Sequence, residues 1–220
     1  MIAVTFALSI ESREFVRQLG QRGENVSILH TGVGEKICRR RVGPFLDSNN
    51  FEFLISSGFA GGVDPSLGMG DLLLAENFSD PQLLERARGL LGCPAGKLTT
   101  VAAMVESAGD RERLAKQLGA AAVDMETEFI AEACAQRKLP MLSLRAISDT
   151  AAAQLPAPSS ILFDVTGQKI DAKKLSAHLL RHPLGIVRLI RFARQIAAAR
   201  ANLTSGLERL LQGFESAPRR

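Results

Sequence analysis

The segment AAAVDMETEFIAEACAQRKLPMLSLRAISDTA, residues 120–151, carries the side chains best spaced for chemistry. It reads as a strand ending at Val123 and Asp124, a helix starting near Glu126, and a second strand ending at Arg145-Ala146-Ile147-Ser148-Asp149. In an open α/β sheet, ligands collect beyond the carboxyl ends of strands. Glu126 and Asp149 are therefore expected in one crevice, where two carboxyl groups can divide acid and base work. A structural reading competes: Asp124 and Glu126 would cap the helix N-terminus, whose dipole favours carboxylates, and Asp149 would open a turn. Two glycine-bearing turns also follow strands, Thr31-Gly32-Val33-Gly34 after NVSILH and SSGFAGGVDP, residues 56–65, after FEFLI. Glycine at such turns lets a ligand approach the backbone and exposes amide donors, although plain tight turns use glycine as well. Neither turn completes G-x-G-x-x-G, because Ile37 stands at the third glycine position of the first and the second is spaced differently. A dinucleotide-binding oxidoreductase thereby loses its main warrant, and no Walker loop, H-E-x-x-H or G-x-S-x-G is present.

Elements that would position these groups follow from the periodicity. Short Val-, Ile- and Leu-rich runs near 2–8, 25–30, 52–57, 71–76, 97–105, 120–124 and 140–147 read as strands. Helical patterns lie between them near 12–20, 35–48, 81–91, 109–118 and 126–138, with Asp80-Pro81 marking a start and Gly92 a stop. This alternation predicts a largely parallel sheet covered by helices on both faces. From residue 150 to 167 the chain turns to Ala, Pro and Ser without a sustained period, which reads as a loop, and helices near 172–180 and 184–212 complete it. The 220 residues thus form a single domain, with a core over 1–150 and a loop and C-terminal helices over 151–220.

Composition narrows the function classes. Neither Trp nor Tyr occurs, so eleven Phe are the only aromatics, which weakens any stacking platform for nucleic acid. The net charge of +4 is uneven: residues 181–220 hold eight Arg against two Glu, a net of +6, and the remainder carries −2. Cys38, Cys93 and Cys134 are odd in number and far apart, which argues against a disulfide framework and fits a reducing cytoplasm. His30, His178 and His182 lack metal-ligand spacing, so no metal is expected. The apolar run from Ile2 to Leu8 has no basic flank, and no stretch approaches the roughly 18 apolar residues of a membrane span.

The strings TGVG (31–34), SGFAGGVDPSLGMGDLLLAE (57–76), VDMET (123–127) and RAISDTA (145–151) resemble the landmarks of the nucleoside phosphorylase and methylthioadenosine/S-adenosylhomocysteine nucleosidase superfamily. They stand in the family's order over about residues 2–150. The resemblance implies a three-layer αβα fold with a central mixed, mostly parallel sheet. It also implies cleavage of the N-glycosidic bond of a purine nucleoside, adenine being the expected base. Asp149 matches the acid beside purine N7, a role that asks for burial or a nearby anion to keep the carboxyl protonated. Glu126 matches the carboxylate that holds the ribose hydroxyls, its negative charge favouring a cationic transition state. Met125 would floor the ribose. Glu11 matches the base that activates water; by position alone it is an acid in a helix's first turn. Met104 and Val105 match base-pocket positions that plain core packing would equally explain; Ser148 is counted with them as base-binding, and Ser148 and Arg145 are assigned to scaffolding near the acid. Gly32, Gly34, Ser57, Gly58, Phe59, Ala60 and Gly61 match the region of the nucleophile or phosphate.

Departures from the family pattern shape the finer expectations. Ser56-Ser57 replace the Arg with which hexameric phosphorylases hold phosphate, so hydrolysis is preferred over phosphorolysis, with phosphate as co-substrate only in the second case. Phe59 replaces a small polar residue, which keeps a non-catalytic nucleoside binder in view, while the retained Glu11, Glu126 and Asp149 favour an enzyme. In the tail, Ile186, Ile190, Ala193 and Ala197 form one helical face and Arg188, Arg191 and Arg194 another, either a docked helix with a basic edge or an interfacial helix at anionic headgroups. An Arg- and Leu-rich tail after G-A-x-A-V-D-M-E also resembles the hopanoid-associated phosphorylases, which would add a lipid-bearing nucleoside and peripheral membrane contact. A cytoplasmic homo-oligomer acting on a small nucleoside, with neither cofactor nor nucleic acid, is the expectation overall.

Overall fold

The computed structural model describes residues 1–20, 25–105, 107–151 and 184–215. Its elements run β1 (Ile2–Phe6), α1 (Ser9–Leu19), β2 (Val26–His30), α2 (Glu35–Asp47), β3 (Phe53–Gly62), β4 (Leu72–Ala75), a 3₁₀ turn (Glu76–Phe78) and α3 (Pro81–Leu91). Then come β5 (Ala95–Gly96), β6 (Leu98–Thr100), α4 (Ala108–Leu118), β7 (Ala122–Asp124), α5 (Thr127–Gln136), β8 (Met141–Asp149) and α6 (Leu184–Glu215). The sheet has the order β2-β1-β3-β8-β4-β5, with β7 paired to the far end of β3 and β6 to β7. The β1·β2, β1·β3, β3·β8, β4·β5 and β6·β7 pairs are parallel, whereas β4·β8 and β3·β7 are antiparallel.

Helices cover both faces, which is why β1 is buried at every position and shows no alternation. On one face Phe15 of α1, Leu83, Ala87 and Leu91 of α3, and Leu203, Leu207, Leu210 and Phe214 of α6 pack on β1, β3 and β8. On the other, Cys38, Val42 and Leu46 of α2 meet Ile130 and Cys134 of α5 over Ala3, Leu54 and Met141. Local signals set the helix ends. Asp80 accepts the Gln82 and Leu83 N–H groups at 2.9 and 3.1 Å, and Gly92 stops α3 with φ +65°, a conformation a side chain would resist. Ser107 caps α4 through the Asp110 N–H at 3.0 Å.

Three expectations change. The glycine segment from Ser57 to Gly61 is not a turn; it lies within β3, whose pairing with β8 runs from Leu54 to Gly61. The run at 97–105 is a strand only to Thr100. The outward face of α6 is the one with Ile190, Ala193 and Ala197, all exposed, while the helix packs through Ala199, Leu203 and Leu207. The side chain of Ile186, the loop at 150–167 beyond Ala151 and the helix at 172–180 lie outside the described residues.

Candidate active site

The carboxyl ends of β1, β3, β7 and β8 open onto a cleft of about 230 Å³, lined by Glu11, Phe59, Ala60, Gly61, Met104, Val105, Met125, Glu126, Ser148 and Asp149 among others. Ten of the residues singled out from sequence thus meet in one place. Gly32 and Gly34 lie in the β2–α2 turn, where the Gly34 N–H donates to Glu126 Oε1 at 2.8 Å; the turn positions this carboxylate. Ser57 and Gly58 line a narrow void behind the cleft, together with Glu11, Thr31, Glu126 and Arg145.

Glu11 belongs to the first turn of α1, and its acceptors are used twice. Oε2 accepts the Leu8 N–H at 2.8 Å and Oε1 accepts the Phe59 N–H at 3.0 Å, tying α1 to β3. The tie needs Gly58: a Cβ there would stand 3.1 Å from Glu11 Oε1, on a backbone with φ +150°. Burial pushes the Glu11 carboxyl above its ordinary value, and the two backbone N–H groups only partly offset this.

The two acids that precede α5 divide the roles that sequence left open. Asp124 is the structural one: its carboxylate accepts the Thr127 N–H at 3.2 Å and the Thr100 hydroxyl at 2.9 Å, and pairs with Arg145 at 3.1 Å. Glu126 makes no side-chain cap of α5. Burial, then the Asp124 charge, push its carboxyl up to about 8, well above the ordinary carboxyl range.

At the end of β8 the pairing with β3 skips Ser148, a bulge that sets Asp149 opposite Gly61 and re-aims the last side chains of the strand. Ser148 Oγ donates to Asp149 Oδ1 at 2.7 Å. Asp149 Oδ2 pairs with Arg111 Nη2, and Arg111 Nη1 donates to the Gly62 carbonyl at 2.8 Å. The neighbour is therefore a cation; of the two conditions the role asks for, burial or a nearby anion, Asp149 has the burial. Arg145, expected as scaffolding for Asp149, instead bonds Asp124, Ser56 Oγ and Thr127.

Sequence reasoning missed Arg111, and also Val101, Phe192 and Ile196, which complete the cleft wall. A signal for Arg111 existed: a cation near the start of α4 opposes the helix dipole, so another group must hold it. Phe192 and Ile196 carried none, since only the docking of α6 brings them to the strand ends. Among the described residues no cluster of His, Cys, Asp and Glu could hold a metal ion.

The central mixed sheet between two helical layers is a nucleoside phosphorylase-like α/β fold, with carboxyl groups gathered at its strand ends. Comparison with known proteins agrees: the model of the Phosphorylase superfamily matches residues 79–182. The 5′-methylthioadenosine/S-adenosylhomocysteine nucleosidase of Staphylococcus epidermidis is 24% identical over 159 residues, 58% of this chain and 70% of that protein. The nucleosidase of that name from Colwellia psychrerythraea is 25% identical over 191 residues, 70% of this chain and 79% of the relative. A crystal structure of a nucleosidase from Colwellia psychrerythraea in complex with adenine superposes with TM-score 0.72 at 17% identity, covering 96% of this chain and 94% of that one.

Proposed function

We propose that this protein is a nucleosidase that hydrolyses the N-glycosidic bond of an adenine nucleoside of the 5′-methylthioadenosine or S-adenosylhomocysteine type. The convergence of Glu11, Glu126 and Asp149 on one largely apolar cleft carries the reading. As the bond from ribose C1′ to purine N9 breaks, its electron pair passes into the base, and Asp149 delivers a proton to N7 so that neutral adenine leaves. Glu126 accepts hydrogen bonds from the ribose hydroxyls; in its ionised form it also favours the cationic sugar. Met125 and Phe59 supply apolar walls, and Met104 and Val105 border the base.

Hydrolysis is favoured by the void behind the cleft. At about 10 Å³ it suits one water molecule, and it is faced by Glu11, Glu126 and Ser57, whose buried hydroxyl has no hydrogen-bond partner among the described residues. A water there can give its proton to Glu11 as its oxygen attacks C1′. A phosphate dianion would meet two carboxyl groups instead, and the guanidinium at hand, Arg145, is already held by Asp124.

The test is adenine release from methylthioadenosine, with and without phosphate, by the wild-type chain and by Asp149→Asn. Loss of the general acid should slow release by about 10²- to 10⁴-fold. The same change leaves the buried Arg111 without its counter-charge and should cost about 3–5 kcal/mol, so melting curves are recorded alongside. Adenine release by a folded Asp149→Asn at the wild-type rate removes Asp149 from the mechanism. A strict phosphate requirement converts the reading to phosphorolysis.

A further inference from the structure

Arg111 is 3% exposed, and its guanidinium has two protein partners among the described residues, the Gly62 carbonyl and the Asp149 carboxylate. Its Nε is buried without a hydrogen bond among the described residues. A cation is expensive to bury, so placing one behind a proton donor asks for a reason. Two geometric consequences follow. With Arg111 on Oδ2 and the Ser148 hydroxyl on Oδ1, both oxygens of Asp149 are fixed before any base arrives. Arg111 also sits in the first turns of α4, just after the segment with Met104 and Val105, so one side chain links this wall of the cleft to the ends of β3 and β8.

We propose that Arg111 is a positioning residue for Asp149: it holds the carboxyl in register with the base wall and receives the negative charge left there when the proton moves to the base. The inference rests on the nucleosidase reading above. In the step, the Asp149 O–H bond breaks, its electron pair stays on the carboxylate, and the proton joins purine N7. The carboxylate so formed faces a guanidinium already in place, an electrostatic arrangement that needs no reorganisation at the moment of reaction. The groups around Asp149 are Arg111 from α4, the Ser148 hydroxyl from β8 and the backbone of Gly61 and Gly62 from β3, with Glu126 and Glu11 in the same cleft. Arg111 is the cation among them.

The experiment compares full-length wild type, Arg111→Met and Arg111→Lys for adenine release from methylthioadenosine, with circular dichroism to confirm folding. A misplaced donor should lower kcat of Arg111→Met by about 10²-fold. The groups that border base and ribose are untouched, so KM should stay near wild type and the loss should fall on kcat. Arg111→Lys keeps the charge and loses the fork, so it should recover part of the rate while kcat stays below wild type. A rate loss in Arg111→Met that falls on KM with kcat unmoved, or that Arg111→Lys does not relieve at all, shows a merely structural role and overturns the proposal. If Arg111→Met does not fold, Arg111→Lys decides: wild-type kcat in that variant overturns the proposal as well. A wild-type enzyme that releases no adenine overturns the nucleosidase reading itself, whereas an active wild type with indifferent Arg111 variants overturns the role of Arg111 alone.

Discussion

Glu126 links the charge state of the site to the stability of the fold. Its carboxyl is pushed from an ordinary value of 4.5 up to about 8, chiefly by burial and then by the Asp124 charge, and Glu11 is shifted in the same direction by burial. The folded state therefore binds the proton more tightly than the unfolded chain does. For a raised carboxyl the stabilisation is complete below about pH 4.5 and is lost as pH rises through about 8. The melting temperature should accordingly decline over this window, and Glu126→Gln, which keeps an acceptor for the Gly34 N–H, should flatten the decline. A Gln variant with the wild-type slope would assign the pH dependence to other groups. Under the proposed mechanism catalysis pulls the other way, since an ionised Glu126 would suit the cationic ribose, so the variant should lose activity even where it gains stability.

Among the elements, β3 and α6 carry the most informative tests. The end of β3 runs so close to α1 that Gly58→Ala would push a methyl group to 3.1 Å from Glu11 Oε1. The carboxylate would have to give up the Phe59 N–H, so adenine release should fall at least tenfold, about 1.4 kcal/mol in the barrier, more than any change in melting predicts. Unchanged kcat would mean that Glu11 is free to move without consequence. In α6, Leu207 is fully buried against the sheet, and Leu207→Ala should cost about 2–5 kcal/mol in a urea titration. Exposed Ile190 on the same helix should tolerate Ala within about 0.5 kcal/mol.

For the whole molecule, the C-terminal segment is part of the main core. Deleting the chain from Ala199 onward removes Leu203, Leu207, Leu210, Leu211 and Phe214, each worth about 1.5–3 kcal/mol of burial, against a total stability of about 5–15 kcal/mol. The truncate should lose near-ultraviolet dichroism and bind a hydrophobic dye. A soluble, fully active truncate would instead detach α6 from the core and favour the interfacial reading of the basic tail. The exposed Arg191 and Arg194 lie on the outer face of α6 together with Ile190, while Phe192 and Ile196 of the same helix wall the cleft. No helix among the described residues is long and apolar enough to cross a membrane.

What the amino-acid sequence determined by itself is what depends on neighbours along the chain. The strand and helix order followed from periodicity and from caps such as Asp80-Pro81 and Gly92. The carboxyl ends of β7 and β8 located Glu126 and Asp149, because an α/β sheet gathers strand ends at one edge. Glu11, Met125 and Met104 were reachable through the family resemblance of VDMET and RAISDTA. Tertiary structure decided the rest. Gly58 and Gly61 read as turn glycines, yet they serve the close approach of Glu11, Arg111 and Asp149 to β3. The buried face of α6 could not be chosen from a helix with Ala and Ile on more than one side. Arg111 meets Asp149 across 38 residues of chain, and Glu11 meets Phe59 across 48. Pairings at such separations leave no local pattern, and the charge state of a buried carboxyl depends on the dielectric and the charges that folding assembles around it.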